Sequence, residues 1–141
     1  MRVRGVPILP VLVAAIAMYA IGFAIYGLLF DTLWIRLSGL SQAEAEVGMG
    51  RMWLSPAMPL LIAIGLATVH RWTGVNRVGP ALHVSVWLWL CFAFPVLLYG
   101  FAYSSQHPGL LLMDSIHLLL NFLVGGTIIA AWPWGRAGAT A

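Results

Sequence analysis

The chain has 141 residues, of which 62% are hydrophobic and 8% charged, with a mean hydropathy of +0.95. A soluble domain carries roughly a quarter charged residues, so this composition excludes one and specifies an integral membrane protein. The net charge of +3 comes entirely from arginines at the ends of apolar runs, which is not the contiguous basic surface that nucleic-acid binding requires.

Four apolar runs account for most of the chain, and each can cross a hydrocarbon layer of about 30 Å at about 1.5 Å per residue. The expected architecture is all-α. A single membrane domain, 1–141, forms an up-down bundle of four transmembrane helices over about 6–30, 52–69, 81–103 and 110–132, with one long outer connection over 31–51.

The first run follows Met1-Arg2-Val3-Arg4 and contains Ala15-Ile16-Ala17, the outline of a secretory signal with a small-residue cleavage site. It continues to Phe30, past the usual apolar core of about 7 to 15 residues, and reads as an uncleaved first helix. Pro7 and Pro10 fit its first turns, where missing amide hydrogens cost little. Tyr19, Phe23, Tyr26 and Phe30 recur at helical spacing as an aromatic ridge beside Gly22 and Gly27, a surface suited to helix packing.

The connection holds three of the four acidic residues, Asp31, Glu44 and Glu46. Its first part, 31–37, is expected to continue the first helix toward the interface, with Trp34 and Arg36 in the headgroup zone, until Ser38-Gly39 stops it. Ser41-Gln42-Ala43-Glu44 is a capping-box pattern that starts a short surface helix.

The second transmembrane helix opens with Trp53, Pro56 and Pro59, has a small-residue side of Ala63, Gly65 and Ala67, and ends at the interface with His70-Arg71-Trp72. After a polar turn, the third helix carries Pro95 in its interior. That proline deprives the Cys91 carbonyl of its amide partner and should kink the helix. Cys91 is the only cysteine, which excludes an internal disulfide and a thiolate pair for zinc. His83, with Trp87 four residues on, reads as an interfacial histidine.

The last run carries Asp114, His117 and Asn121, which fall within about 60° of one another on a helix, and Gly125 extends the stripe by one turn. An unpaired polar group in hydrocarbon costs several kcal/mol, so these side chains need partners. Arginine counting sets the orientation. Arg2, Arg4, Arg71, Arg77 and Arg136 lie on one side, whereas Arg36 and Arg51 share the other with three carboxylates, so both termini are expected to be cytoplasmic at the inner membrane.

That orientation gathers the ionisable groups in the outward half. The candidate polar pocket comprises Asp114, His117, Asn121, Arg51, Tyr26 and Tyr99, with Arg51 and His117 as cationic partners of Asp114. The competing structural reading has Asp114 accept hydrogen bonds from Arg51 or a tyrosine and lock the bundle. Asp114 and His117 would need further ligands to hold a metal, and His107 is the only other outer histidine, so neither metal nor cofactor is expected. No phosphate-binding glycine loop and no nucleophile elbow is present.

Gly22, Tyr26, Leu29-Phe30 and Trp34, then Leu37-Ser38-Gly39-Leu40, and in the last helix Leu112-Met113-Asp114-Ser115-Ile116-His117 resemble the bacterial integral membrane family DUF1761, a domain of unknown function. The resemblance spans nearly the whole chain and is most informative at Asp114 and His117. It implies a four-span fold and a membrane location, and no reaction.

The residues therefore point to a small four-helix inner-membrane protein without an assigned activity. Its outward polar pocket would bind a small or lipophilic molecule or dock a membrane partner, a role closer to a binding protein than to an enzyme. Two alternatives remain. One is an intramembrane acid/base enzyme on a lipid-like substrate, with Asp114 and His117 exchanging a proton and Tyr26 or Tyr99 orienting the substrate. The other is a minimal proton-coupled exporter working as a dimer. The expected partners are the lipid bilayer and a second copy or another membrane protein, with no nucleic acid.

Overall fold

Proline, glycine and capping residues divide the chain into six helices, seen in a computed structural model that describes residues 2–3 and 6–132. Arg4 and Arg136, which carry part of the expected orientation, lie outside the described residues. A two-residue antiparallel pairing of β1 (Arg2–Val3) with β2 (Val6–Pro7) precedes the first span. The span α1 covers Ile8–Leu29, with α-helical geometry over Ile8–Phe23 and π-helical geometry over Ala24–Leu29. Pro10 falls in its first turn, where the missing amide would have had no intrahelical partner. The π turn closes with the Phe30 amide on the Ile25 carbonyl at 3.0 Å.

Phe30 then leaves helical geometry (φ −132°, ψ 24°), so 31–37 is not a continuation of the first helix. It forms a separate helix, α2 (Asp31–Ser38), with Asp31 at the N-terminus accepting from the Thr32 amide at 2.6 Å. A carboxylate is favourable there because the amides of a first turn have no intrahelical acceptors. Gly39, at φ +62°, ends α2 in the left-handed region. The helix α3 (Gln42–Met49) opens with the expected capping box: the Ser41 hydroxyl accepts from the Glu44 amide, and the Glu44 carboxylate accepts from the Ser41 amide at 2.9 Å.

After a 3-10 turn at Met52–Leu54 comes α4 (Ala57–Thr73), ended by Gly74 at φ +68°. The span α5 covers Val78–Tyr103 and α6 covers Pro108–Ala131. In α5 the disturbance expected from Pro95 takes the form of a π-helical segment, Trp89–Ala93, directly ahead of it, where the Phe94 amide reaches back to the Trp89 carbonyl. The helix α6 is capped by His107, whose Nδ1 accepts from the Gly109 amide at 3.0 Å.

The last helix is central. It packs along α1, α4 and α5, and α1 also packs on α4. Pairings of Tyr26 with Asp114, Gly22 with His117 and Met18 with Gly125 show α1 and α6 antiparallel, as an up-down bundle requires. Lipid tails are as apolar as leucine, so tight van der Waals contact rather than water exclusion holds such helices together. Small residues permit it: Ala14, Ala63 and Ala67 are wholly buried, and a Cβ on Gly125 would lie 3.0 Å from Met18 Sδ and 3.1 Å from Leu66 Cδ1. Gly65, expected on the same small side of α4, faces open space instead. The buried apolar cluster of Val11, Ala15, Met18, Leu66 and Ile129 lies in the half of the bundle away from the Asp31–Arg51 connection. Leu9, Ile16, Leu61, Phe92 and Val96 face outward, as lipid contact demands.

The aromatic ridge of α1 does not form one packing surface. Tyr19, Phe23 and Phe30 are exposed, while Tyr26 is half-buried against α6. The wider π turn re-phases the helix between Phe23 and Tyr26, and α-helical spacing no longer tells which side chains share a face.

Candidate functional site

The polar stripe of α6 meets α1 in the half of the bundle beside the connection. Asp114 Oδ1 accepts a hydrogen bond from the Tyr26 hydroxyl at 2.7 Å. The Tyr26 ring stands edge-on to the His117 imidazole, with centroids 4.9 Å apart and planes at 87°. One turn deeper, Asn121 Nδ2 lies 3.0 Å from His117 Nε2. Tyr26, Asp114, His117 and Asn121 thus form one connected string across two helices.

Each position has a local cause. Asp114, His117 and Asn121 share a face because they follow helical spacing. Tyr26 reaches them because it sits in the π turn of α1, the kind of irregularity that re-aims a side chain. Glycine at 22 gives the His117 ring its room: a Cβ there would lie 3.1 Å from His117 Nε2, and the ring would have to give by a few tenths of an ångström. The short helix α2 covers the connection-side end. The Trp34 ring stands edge-on to Tyr26 at 6.4 Å, and Leu37 packs where a Cβ on Gly109 would lie 3.2 Å from its methyls.

With Asn121 Nδ2 donating, His117 Nε2 is the acceptor, and a neutral imidazole then carries its proton on Nδ1. Among the described residues nothing hydrogen-bonds to that Nδ1 or to Asp114 Oδ2. Asp114 and His117 are only half-buried. The site therefore presents two acceptors, Asp114 Oδ2 and Asn121 Oδ1, and one donor, His117 Nδ1, that other described residues do not engage.

Of the six residues expected here, the structure brings four together. Arg51 is exposed in the connection and makes no ion pair with Asp114 among the described residues. Tyr99 is 67% exposed and stacks on Tyr103 at 5.8 Å between centroids. His107 spends Nδ1 on its own helix cap. No group of three His, Cys, Asp or Glu side chains among the described residues is arranged to hold a metal. His83 accepts from Trp87 Nε1 at 3.1 Å, and both side chains are exposed on α5.

Trp34 was not expected at the site, although its place four residues after the helix break carries the signal once α2 is separated from α1. His70 was expected at the interface and is instead 1% exposed. The helix α4 runs on to Thr73, which places His70 one turn inside its end, facing α6.

A family model described as a protein of unknown function, DUF1761, matches residues 9–130. No curated protein and no solved structure matches the chain.

Proposed function

Because the chain belongs to the DUF1761 family, whose description assigns no reaction, and has four helices long and apolar enough to cross a membrane, we propose a function from its own geometry: the Tyr26–Asp114–His117–Asn121 string binds an amphiphile with a small hydroxyl-bearing head. The observation that carries this reading is the unengaged pair of Asp114 Oδ2 and His117 Nδ1 beside the Tyr26–Asp114 hydrogen bond. A hydroxyl donates to a carboxylate and accepts from an N–H, so one head group satisfies both atoms while its apolar tail stays in lipid. The covering helix α2 would set the approach from the interface.

The string also supports a second reading. A tyrosine hydroxyl, a carboxylate and an imidazole in series are the parts of a proton-exchange site, and an acid/base reaction on the same bound head group would use Asp114 and His117. For orientation, Arg71 and Arg77 flank the α4–α5 turn, whereas Asp31, Glu44 and Glu46 accompany Arg36 and Arg51 on the opposite side. This asymmetry supports an inner-membrane protein with both termini in the cytoplasm and the site in the outward half.

The test compares the wild-type protein with Asp114→Asn and Tyr26→Phe, purified in mild detergent and analysed by native mass spectrometry and lipid extraction. The expected result is a hydroxyl-headed amphiphile retained by the wild type and lost from Asp114→Asn, whose helicity and monodispersity persist. Tyr26→Phe should cost about 0.6 to 1.7 kcal/mol of stability, the range for interhelical hydrogen bonds in membranes. Equal retention by all three proteins, with Asp114→Asn only lowering the unfolding temperature, would reduce the string to a helix lock.

A further inference from the structure

A second polar cluster lies outside this site, where α4, α5 and α6 converge in the half of the bundle away from the connection. A Cβ built on Gly126 would overlap the Ser85 hydroxyl and lie 3.6 Å from His70 Cε1. His70 is 1% exposed and Ser85 is 0% exposed. Both ring nitrogens of His70 and the Ser85 Oγ are buried without a hydrogen-bond partner among the described residues.

The direction of Ser85 is informative. Thr68, Thr73, Ser104 and Ser115 each turn the hydroxyl back onto the carbonyl four residues earlier, on Ile64, Val69, Gly100 and Leu111. That is the default for a helical hydroxyl with nothing else to bind. Ser85 departs from it and points into the space that Gly126 leaves between the helices. Trp89 Nε1, one turn along the same face of α5, is a further buried donor without a partner.

A neutral imidazole offers one donor and one acceptor, and a serine hydroxyl offers both. Buried groups of this kind are ordinarily satisfied by each other or by water held between two to four polar partners. We propose that His70 and Ser85 bind a buried water molecule at Gly126, which ties α4 and α5 to the central helix. The site is independent of the Asp114 string: glycine at 126 lets the Ser85 hydroxyl lie where a Cβ would overlap it, which brings that hydroxyl and the His70 ring to the same point of the central helix.

The experiment is water-edited solid-state NMR on the full chain in lipid bilayers, with labelled histidine and serine, reading magnetisation transfer from water to carbon-bound protons. The expected result is early transfer to His70 and Ser85, as fast as to the exposed His83 and His107. In Ser85→Ala the transfer to His70 should fall to a small fraction of its wild-type rate, while His83 and His107 are unchanged. A wild-type His70 that receives no early transfer while His83 and His107 do would overturn the proposal, whatever the variant does. So would an unchanged rate at His70 in a folded Ser85→Ala protein.

Discussion

Asp114 engages one oxygen with Tyr26 and leaves the other without a partner among the described residues, and the consequences for chemistry start there. A carboxylate in hydrocarbon is tolerated only when its remaining acceptor capacity is met, by protein, by water or by a ligand. Gly22 tests how finely the neighbouring imidazole is placed. Alanine at 22 puts a Cβ 3.1 Å from His117 Nε2, which the ring can relieve only by moving a few tenths of an ångström. Gly22→Ala should therefore shift the His117 nitrogen resonances and weaken the contact with Asn121, whereas Gly22→Leu should displace the ring and abolish amphiphile retention. Unchanged His117 resonances in Gly22→Leu would contradict this placement. Asp114, His117 and Asn121 were legible in the sequence because polar residues at helical spacing stand out in an apolar run. The exclusion of Arg51 and Tyr99 was not, because it depends on the path of the connection and on which face of α5 meets α6.

At the scale of the element, two irregular turns do most to shape the site. The π segment Ala24–Leu29 turns Tyr26 inward, and the break at Phe30 frees α2 to lie across the site. Neither was legible, since a π turn differs from an α turn by one residue of register and leaves apolar composition unchanged. Pro95 did announce a disturbance, and the structure gives it the form of the π segment Trp89–Ala93. The capping box of α3 was read directly from Ser41 and Glu44, because its chemistry is local. Hydrogen bonds from the Ser41 hydroxyl and amide hold the Glu44 carboxyl below the usual glutamate range. A carboxyl with a lowered folded-state pKa stabilises its helix above the unfolded value and loses that contribution as pH falls through the folded value. Backbone chemical shifts of α3 should thus stay helical at neutral pH and move toward coil in acid. In Ser41→Ala the midpoint of that change should rise toward an ordinary glutamate; an unchanged midpoint would contradict the capping account.

For the whole molecule, the order of packing around α6 is the feature that sequence could not supply, because short-looped helices can be arranged with either hand. Four spans and an up-down course were legible from hydropathy and loop length; the central position of α6 rests on where Gly125 and Gly126 allow α1, α4 and α5 to approach. Gly125→Leu should force Met18 and Leu66 apart and lower thermal stability in detergent by about 1 to 3 kcal/mol, the usual cost of overpacking. A variant as stable as wild type would argue against close packing at that point. Labelling addresses the orientation: Gly48→Cys in a Cys91→Ala background should react with a membrane-impermeant maleimide on intact spheroplasts. Reaction only after lysis would invert the proposed topology.

The most direct test of the binding site is a map of the protein in lipid nanodiscs at a resolution that shows bound amphiphiles. The account predicts Tyr26 on Asp114 Oδ1 and non-protein density within hydrogen-bonding distance of both Asp114 Oδ2 and His117 Nδ1, continuing as a tail toward the bilayer. Arg51 or another side chain of the chain seated on Oδ2, with no such density beside it, would contradict it.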